Sequence, residues 1–126
     1  SADTLDVVLR RFDEWLRQNN LISAEEVCFV PATDGPWDIE KFLAAECARK
    51  GIPFPDYMHH WVDIRHYFKV KNCLSRRHNV SKMLELMGSQ FEGRAHSGID
   101  DSRNIARILI RLLETHGELP TNDFLN

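Results

Sequence analysis

The side chains best suited to chemistry in this sequence lie between residues 93 and 104. His96 stands in a short polar segment with Gly98, and Asp101 follows where a long apolar-periodic stretch begins. A histidine can accept a proton from water at neutral pH, and a carboxylate is a good ligand for a hard divalent cation. The spacing therefore favours metal-assisted hydrolysis. The alternative is a capped helix that follows a solvated histidine.

Asp38 is a second candidate because it follows turn residues and precedes another apolar-periodic stretch. Val27–Val30 is a short apolar run closed by Pro31, which predicts a buried strand, and residues 32–36 have the composition of a turn. Asp38 therefore stands at a predicted strand–turn–helix junction. A carboxylate at such a junction serves either as a helix cap or as a cation ligand, and the sequence leaves both open.

The elements that must position these residues are mostly helical. Apolar residues recur at three- and four-residue steps after His96, which predicts a long helix with Asp100 as its N-cap and Gly117 as its stop. Asp101 then lies in the first turn. Similar stripes predict three further helices, over residues 5–20, 37–51 and 80–88. The first stripe assigns Trp15 to the core, and a second short strand is predicted at Trp61–Ile64.

The length of the sequence fits one domain, and its net charge gives no overall basic field. The chain has 126 residues and a formal net charge of −3, but an enzyme that handles one strand end needs only a local basic rim. The one basic stretch with aromatics, residues 67–78, either grips a phosphate backbone or is a solvated loop. Three widely spaced cysteines predict reduced thiols and an intracellular location. No apolar run reaches membrane-spanning length.

Two segments resemble motifs of one family. Thr33–Phe42 and Gly93–Ala106 resemble motifs of the Eri-type 3′-to-5′ exoribonucleases, which are relatives of the histone-mRNA exonuclease within the DEDDh nucleases. The resemblance covers about residues 5–118 and includes Trp61. It implies an α/β chain that is the C-terminal portion of a ribonuclease H-like exonuclease fold, mostly helical with two short strands. It also implies hydrolysis of RNA from a free 3′ end, and a role in RNA processing or RNA silencing.

The resemblance also assigns roles to the three candidate side chains. By position, Asp38 and Asp101 correspond to metal ligands and His96 corresponds to the general base. Two Mg²⁺ or Mn²⁺ ions would lie between the acidic side chains of the complete site. Ala95 stands where many members have proline, which is a small departure.

Trp37 and Arg94 are the candidate substrate-binding residues. Trp37 either stacks on a terminal base, an interaction worth about 1–3 kcal/mol per base, or covers the start of its helix. Arg94 either contacts a phosphate or pairs with Glu92 or Asp100. The residues alone leave these alternatives open.

One part of the family pattern is absent from the sequence. The family begins with a strand that carries an Asp-x-Glu pair, and the only such triplet here, residues 38–40, belongs to the second motif. Residues 1–126 are therefore predicted to be the C-terminal part of a single exonuclease domain. Because two short strands rarely form a stable sheet, a second polypeptide or a swapped copy is expected to supply the missing strands. The alternative function is a catalytically inactive fragment or pseudo-enzyme that binds RNA or a protein partner.

Overall fold

A computed structural model describes residues 3–121. In this range the elements are, in order, α1 (Leu5–Gln18), β1 (Ala32–Thr33), a π-helical turn (Trp37–Leu43) that continues as α2 (Ala44–Lys50), a 3₁₀ turn (Asp56–Met58), β2 (Val62–Asp63), α3 (Ile64–Lys71), α4 (Val80–Leu86) and α5 (Gly98–His116). None of the helices in the described range is long and apolar enough to cross a membrane.

The core lies where α3 and α4 pack against α5. Its buried side chains are Ile64, Tyr67, Phe68, Met83, Leu84, Ile108, Leu112 and Leu119. In α3, Ile64 lies three and four positions before Tyr67 and Phe68, and in α5, Ile108 lies four positions before Leu112, so these two helices each bury one stripe. Since α5 contacts both other helices, it is the support against which the neighbouring segments are fixed, and its N-terminal end carries Asp101.

The two strands pair in parallel and determine which loops meet. Ala32 lies opposite Val62, and Thr33 lies opposite Asp63. Parallel strands end at the same edge of a sheet, so the segment after β1 and the start of α3 emerge side by side. Ligands of open α/β sheets bind at this carboxyl edge.

Local capping explains where several helices begin and end. Asp63 is fully buried, and its Oδ1 accepts a hydrogen bond from the His66 amide at 3.0 Å, which caps α3. The sequence offers Asn79 or Ser81 as the cap of α4, and in the structure Asn79 caps it, because its Oδ1 accepts from the Lys82 amide at 2.8 Å. Gly51 ends α2 in the left-handed conformation, with φ of 67°, so this predicted stop is also confirmed.

The predicted strand at Val27–Val30 is wrong. Val27 forms one isolated antiparallel bridge with Ile22, and the regular strand begins only at Ala32. Val27 and Val30 are 52% and 48% exposed. An extended segment needs a neighbouring strand to satisfy its backbone groups, and β2 pairs only with residues 32–33 in the described range.

Three further predictions require correction. Ser97 is the N-cap of α5 and the helix starts at Gly98, so Asp100 lies inside the first turn. The predicted strand at Trp61–Ile64 is reduced to Val62–Asp63, because Ile64 already begins α3, a helix that the sequence reading missed. Trp15 is 52% exposed and stacks on Phe12 at the surface of α1.

Candidate functional site

An open cleft of about 430 Å³ lies at the carboxyl edge of the two strands. Four segments surround it: the residues after β1, the start of α3, the start of α4 and the segment that leads into α5. Its lining residues are Asp34, Asp38, Arg65, Asn79, Val80, Ser81, Phe91, Ala95, His96, Asp101 and Ile105. Three side chains separated by up to 63 positions in the sequence, Asp38, His96 and Asp101, therefore face one space.

Asp34 and Arg65 form a two-pronged ion pair in the cleft wall. Arg65 donates from Nε to Asp34 Oδ1 and from Nη2 to Asp34 Oδ2, each at 2.7 Å. Both side chains are partly buried, so this pair is better shielded from water than the ion pairs Arg17–Asp13 on α1 and Arg49–Glu46 on α2. It joins the loop after β1 to the start of α3, as the parallel register dictates.

Asp38 lies in a π-helical turn, a form of helix that is frequent at functional sites. Partial burial, and then the nearby negative charge of Asp34, raise the pKa of the Asp38 carboxyl above its ordinary value. A divalent cation would reverse this repulsion, so the chemistry of the site fits a cation bound by carboxylate oxygens. Within residues 3–121, however, no group of three or more His, Cys, Asp or Glu side chains is placed to hold a metal ion.

His96 is exposed on the segment before α5, and its backbone has a positive φ of 69°. Histidine adopts this conformation more readily than β-branched residues do. The His96 amide donates to Asp101 Oδ1 at 3.3 Å, so the general-base candidate and a metal-ligand candidate are joined through the backbone. His96 is thus an exposed residue that also lines the cleft.

Trp37 and Arg94, the two predicted substrate-binding residues, are not among the residues that line the cleft. Trp37 is 54% exposed in a neighbouring depression with Lys41, whose ammonium lies 4.1 Å from the centre of the indole ring. The structure thus excludes a role for Trp37 in the core. Arg94 donates its backbone amide to Asp100 Oδ2 at 3.0 Å, whereas the ion pairs of Asp100 and Glu92 are made by other arginines of α5.

Sequence comparison decides the family. The profile of the Exonuclease family (RNase_T) matches residues 1–109 of the chain. The chain belongs to this exonuclease family. It is similar to 3′-5′ exoribonuclease 1 of Rattus norvegicus, with 36% identity over 129 residues that cover 99% of this chain and 36% of that protein. It is also similar to the 3′-5′ exonuclease eri1 of Schizosaccharomyces pombe, with 41% identity over 92 residues, 72% of this chain and 31% of that protein.

Solved structures agree with this family. The nuclease domain of 3′hExo, a DEDDh family member bound to rAMP, aligns with a TM-score of 0.88 and 34% identity over 97% of this chain and 60% of that one. A 3′-exonuclease that recognises the histone mRNA stem-loop aligns with a TM-score of 0.86 and 33% identity, over 94% of this chain and 52% of that one. The exonuclease chain thus has part of a ribonuclease H-like fold. It spans about a third of the length of the curated relatives first matched.

Among the lining residues of this exonuclease site that the sequence did not predict, two are charged, Asp34 and Arg65. They are 31 positions apart, and no sequence pattern indicates that the two side chains pair with each other. The available signal was positional, since each residue follows a segment that was interpreted as a strand. The parallel register was needed to bring them together.

Proposed function

We propose that the protein containing this chain hydrolyses RNA from its 3′ end, as a 3′-to-5′ exoribonuclease. The observation that carries the proposal is the convergence of Asp38, His96 and Asp101 on one cleft in a member of the exonuclease family. Relatives that match nearly the whole chain are named 3′-5′ exoribonucleases. These names do not favour the alternative of an inactive binding module.

Asp38 and Asp101 are the proposed ligands of two Mg²⁺ or Mn²⁺ ions, in keeping with the general dependence of DEDDh exonucleases on divalent metals. When bound, such ions neutralise charge on the phosphate and stabilise the leaving oxygen. Two carboxylates balance only half of the charge of two divalent ions. Further carboxylates from outside these 126 residues are therefore part of the proposal, and the Asp-x-Glu strand of the family would supply them.

His96 is the proposed general base. An exposed imidazole beside the carboxylates can accept a proton from the attacking water and release it to solvent. Trp37 is proposed to stack on the terminal base, with its ring held by Lys41 on one face and open to the base on the other. Arg94, exposed on the same segment as His96, is proposed to contact a phosphate.

Trp37→Ala is expected to raise KM for RNA about 5- to 150-fold, because stacking contributes about 1–3 kcal/mol per base. Single-turnover kinetics of the complete domain measure this effect, and Trp37→Phe should recover much of the loss. The control is an RNA whose last nucleotide lacks its base. If Trp37 stacks on that base, wild type and Trp37→Ala should bind the control with equal affinity, and an unchanged KM for normal RNA would contradict the stacking role.

We also propose that a further polypeptide segment completes the sheet beside Val27–Val30. These valines are half exposed, and backbone beside an unpaired edge favours pairing with another strand. The solved nuclease domain of 3′hExo is matched over 60% of its length, and the proposed occupant is the part of the complete domain that corresponds to the remainder. A swapped copy or self-association would cover the same edge.

The isolated 126-residue chain is therefore expected to associate in solution. Size-exclusion chromatography with light scattering should give a mass above the 14.7 kDa of one chain. Replacing Val27 and Val30 with lysine should reduce association, because charge blocks edge pairing. Val70→Lys is the matched control, since Val70 is 50% exposed on α3. A monomer of 14.7 kDa that unfolds cooperatively would contradict the proposal.

A further inference from the structure

The segment Ser89–Ser97, which carries His96, is tied along the N-terminal half of α5 by hydrogen bonds to its backbone. Arg107 Nη1 donates to the Gln90 carbonyl at 3.0 Å. Asn104 then forms a reciprocal pair with Glu92: its Oδ1 accepts from the Glu92 amide at 3.1 Å, and its Nδ2 donates to the Glu92 carbonyl at 2.8 Å.

The same pattern continues to the candidate base. Asp100 Oδ2 accepts from the Arg94 amide at 3.0 Å, and Asp101 Oδ1 accepts from the His96 amide at 3.3 Å. Every second residue of the segment is thus held through its main chain by a polar side chain of α5. The segment runs antiparallel to the helix until it reaches the cleft.

Asn104 is the centre of this arrangement. It is 0% exposed, and its amide makes two more hydrogen bonds. Its Nδ2 also donates to the Asp100 carbonyl at 2.7 Å, and its Oδ1 also accepts from Arg107 Nη1 at 2.7 Å. A buried side chain with all of its groups paired has one preferred geometry. Removing it takes away the partners of the Glu92 amide and carbonyl, which loosens the segment.

Gly93 shows how closely the segment approaches the helix. Its φ is 95°, and a Cβ placed on it would lie 2.6 Å from Cγ of Asp100. A real Cβ does not come this close to a carboxyl carbon, so the approach of the segment to Asp100 requires glycine at this position. A methyl group added at the exposed Gly93 would therefore push the segment away from Asp100 without changing a core residue.

We propose that Asn104, supported by Gly93, is a positioning residue that sets the location of His96 over the cleft. The inference rests on the proposed exonuclease function, in which His96 is the base. Asn104 lines neither the cleft nor the neighbouring depression, so its effect reaches the reaction through the segment. A base displaced by about 1 Å can lose about 100-fold in rate, although the substrate still binds.

A double-mutant cycle in the complete exonuclease domain tests the proposal. Asn104→Ala is expected to lower kcat by about 10- to 100-fold with little change in KM. In a His96→Ala background the same substitution should lower the remaining rate by less than about 3-fold, because a displaced base no longer matters. A residue with only a structural role would lower the rate equally in both backgrounds, and that outcome overturns the proposal.

Gly93→Ala repeats the cycle from the exposed side and remains informative if Asn104→Ala fails to fold. Its effect on kcat should likewise be non-additive with that of His96→Ala. Amide hydrogen exchange gives a readout independent of activity: exchange at Glu92, Arg94 and His96 should become at least about 10-fold faster in either variant, while the core of α5 keeps its protection. Unchanged exchange in this segment would overturn the proposal.

Asn72→Ala is the matched control, because Asn72 also donates its amide to a helix carbonyl, that of Phe68 at 2.9 Å, but at the surface end of α3. It should alter neither kcat nor the exchange of residues 92–96. The proposed function fails separately, if the wild-type domain does not degrade RNA or if His96→Ala retains full activity. The positioning role fails if His96→Ala greatly lowers the rate but Asn104→Ala lowers it by the same factor in the wild-type and His96→Ala backgrounds.

Discussion

Replacing His96 with alanine in the complete exonuclease domain is expected to lower the rate of RNA hydrolysis by about 10²- to 10⁴-fold, the usual cost of losing a general base. Binding of Mg²⁺ should survive, because the imidazole is not among the proposed ligands and the Asp101 carboxylate is kept. Single-turnover cleavage of a 3′-labelled RNA measures the rate. Isothermal titration with Mg²⁺ measures the binding.

His116→Ala is the matched control for this experiment. His116 lies in the last turn of the same helix, at the end away from the cleft, so its replacement should leave the rate unchanged. Turnover near the wild-type value in His96→Ala would remove His96 from the mechanism. A loss of metal affinity equal to the loss of rate would instead make it a ligand.

Replacing Asp38 or Asp101 with asparagine is expected to weaken metal affinity and rate together. Ligand loss should cost at least the roughly 10- to 100-fold in affinity that is typical of outer-shell partners. Ions that stabilise charge by several kcal/mol account for about 10³-fold or more in rate. Asparagine keeps the size of the side chain and its acceptor oxygen, so the Asp101 link to the His96 amide can persist.

The stability of the metal-free protein separates a ligand from a helix cap. The pKa of Asp38 is raised by burial and by the charge of Asp34, so neutralising Asp38 removes a repulsion and should not lower the melting temperature. The increase in melting temperature on adding Mg²⁺ should nevertheless be lost. Glu114→Gln, on the exposed side of α5, is the control. Unchanged metal binding in both variants, with reduced stability, would make the two aspartates caps.

Features encoded by neighbouring residues could be predicted from the sequence. The caps and stops at Asn79, Gly51 and Gly117, and the buried stripe of α5, depend on residues within one or two turns of each other. The family fold was also predictable, because its motifs are long and contiguous. Solved structures of the DEDDh type bear out that fold.

Features that depend on distant residues could not be predicted in the same way. Val27–Val30 has the composition of a buried strand, but a strand exists only where a neighbour accepts its hydrogen bonds. α3 was not predicted, because residues 67–78 have the composition of a basic loop, whereas the helix is fixed by the burial of Ile64 and Phe68, which are four positions apart. Asp34 and Arg65 meet only through the strand register.

The bonds that hold the segment before α5 also bear on how such a protein can evolve. They engage the main chain of Gln90, Glu92, Arg94 and His96, so these bonds leave the exposed side chains at residues 90 and 92 free to vary at little cost. Its length is not free. One inserted residue would shift every later residue by one position, so that residues with bonded main-chain groups would take the places of residues without them. The His96 amide would then no longer lie opposite the Asp101 carboxylate. Descendants of this chain should therefore differ at residues 90 and 92 but keep the glycine at 93, the histidine at 96 and the number of residues between them.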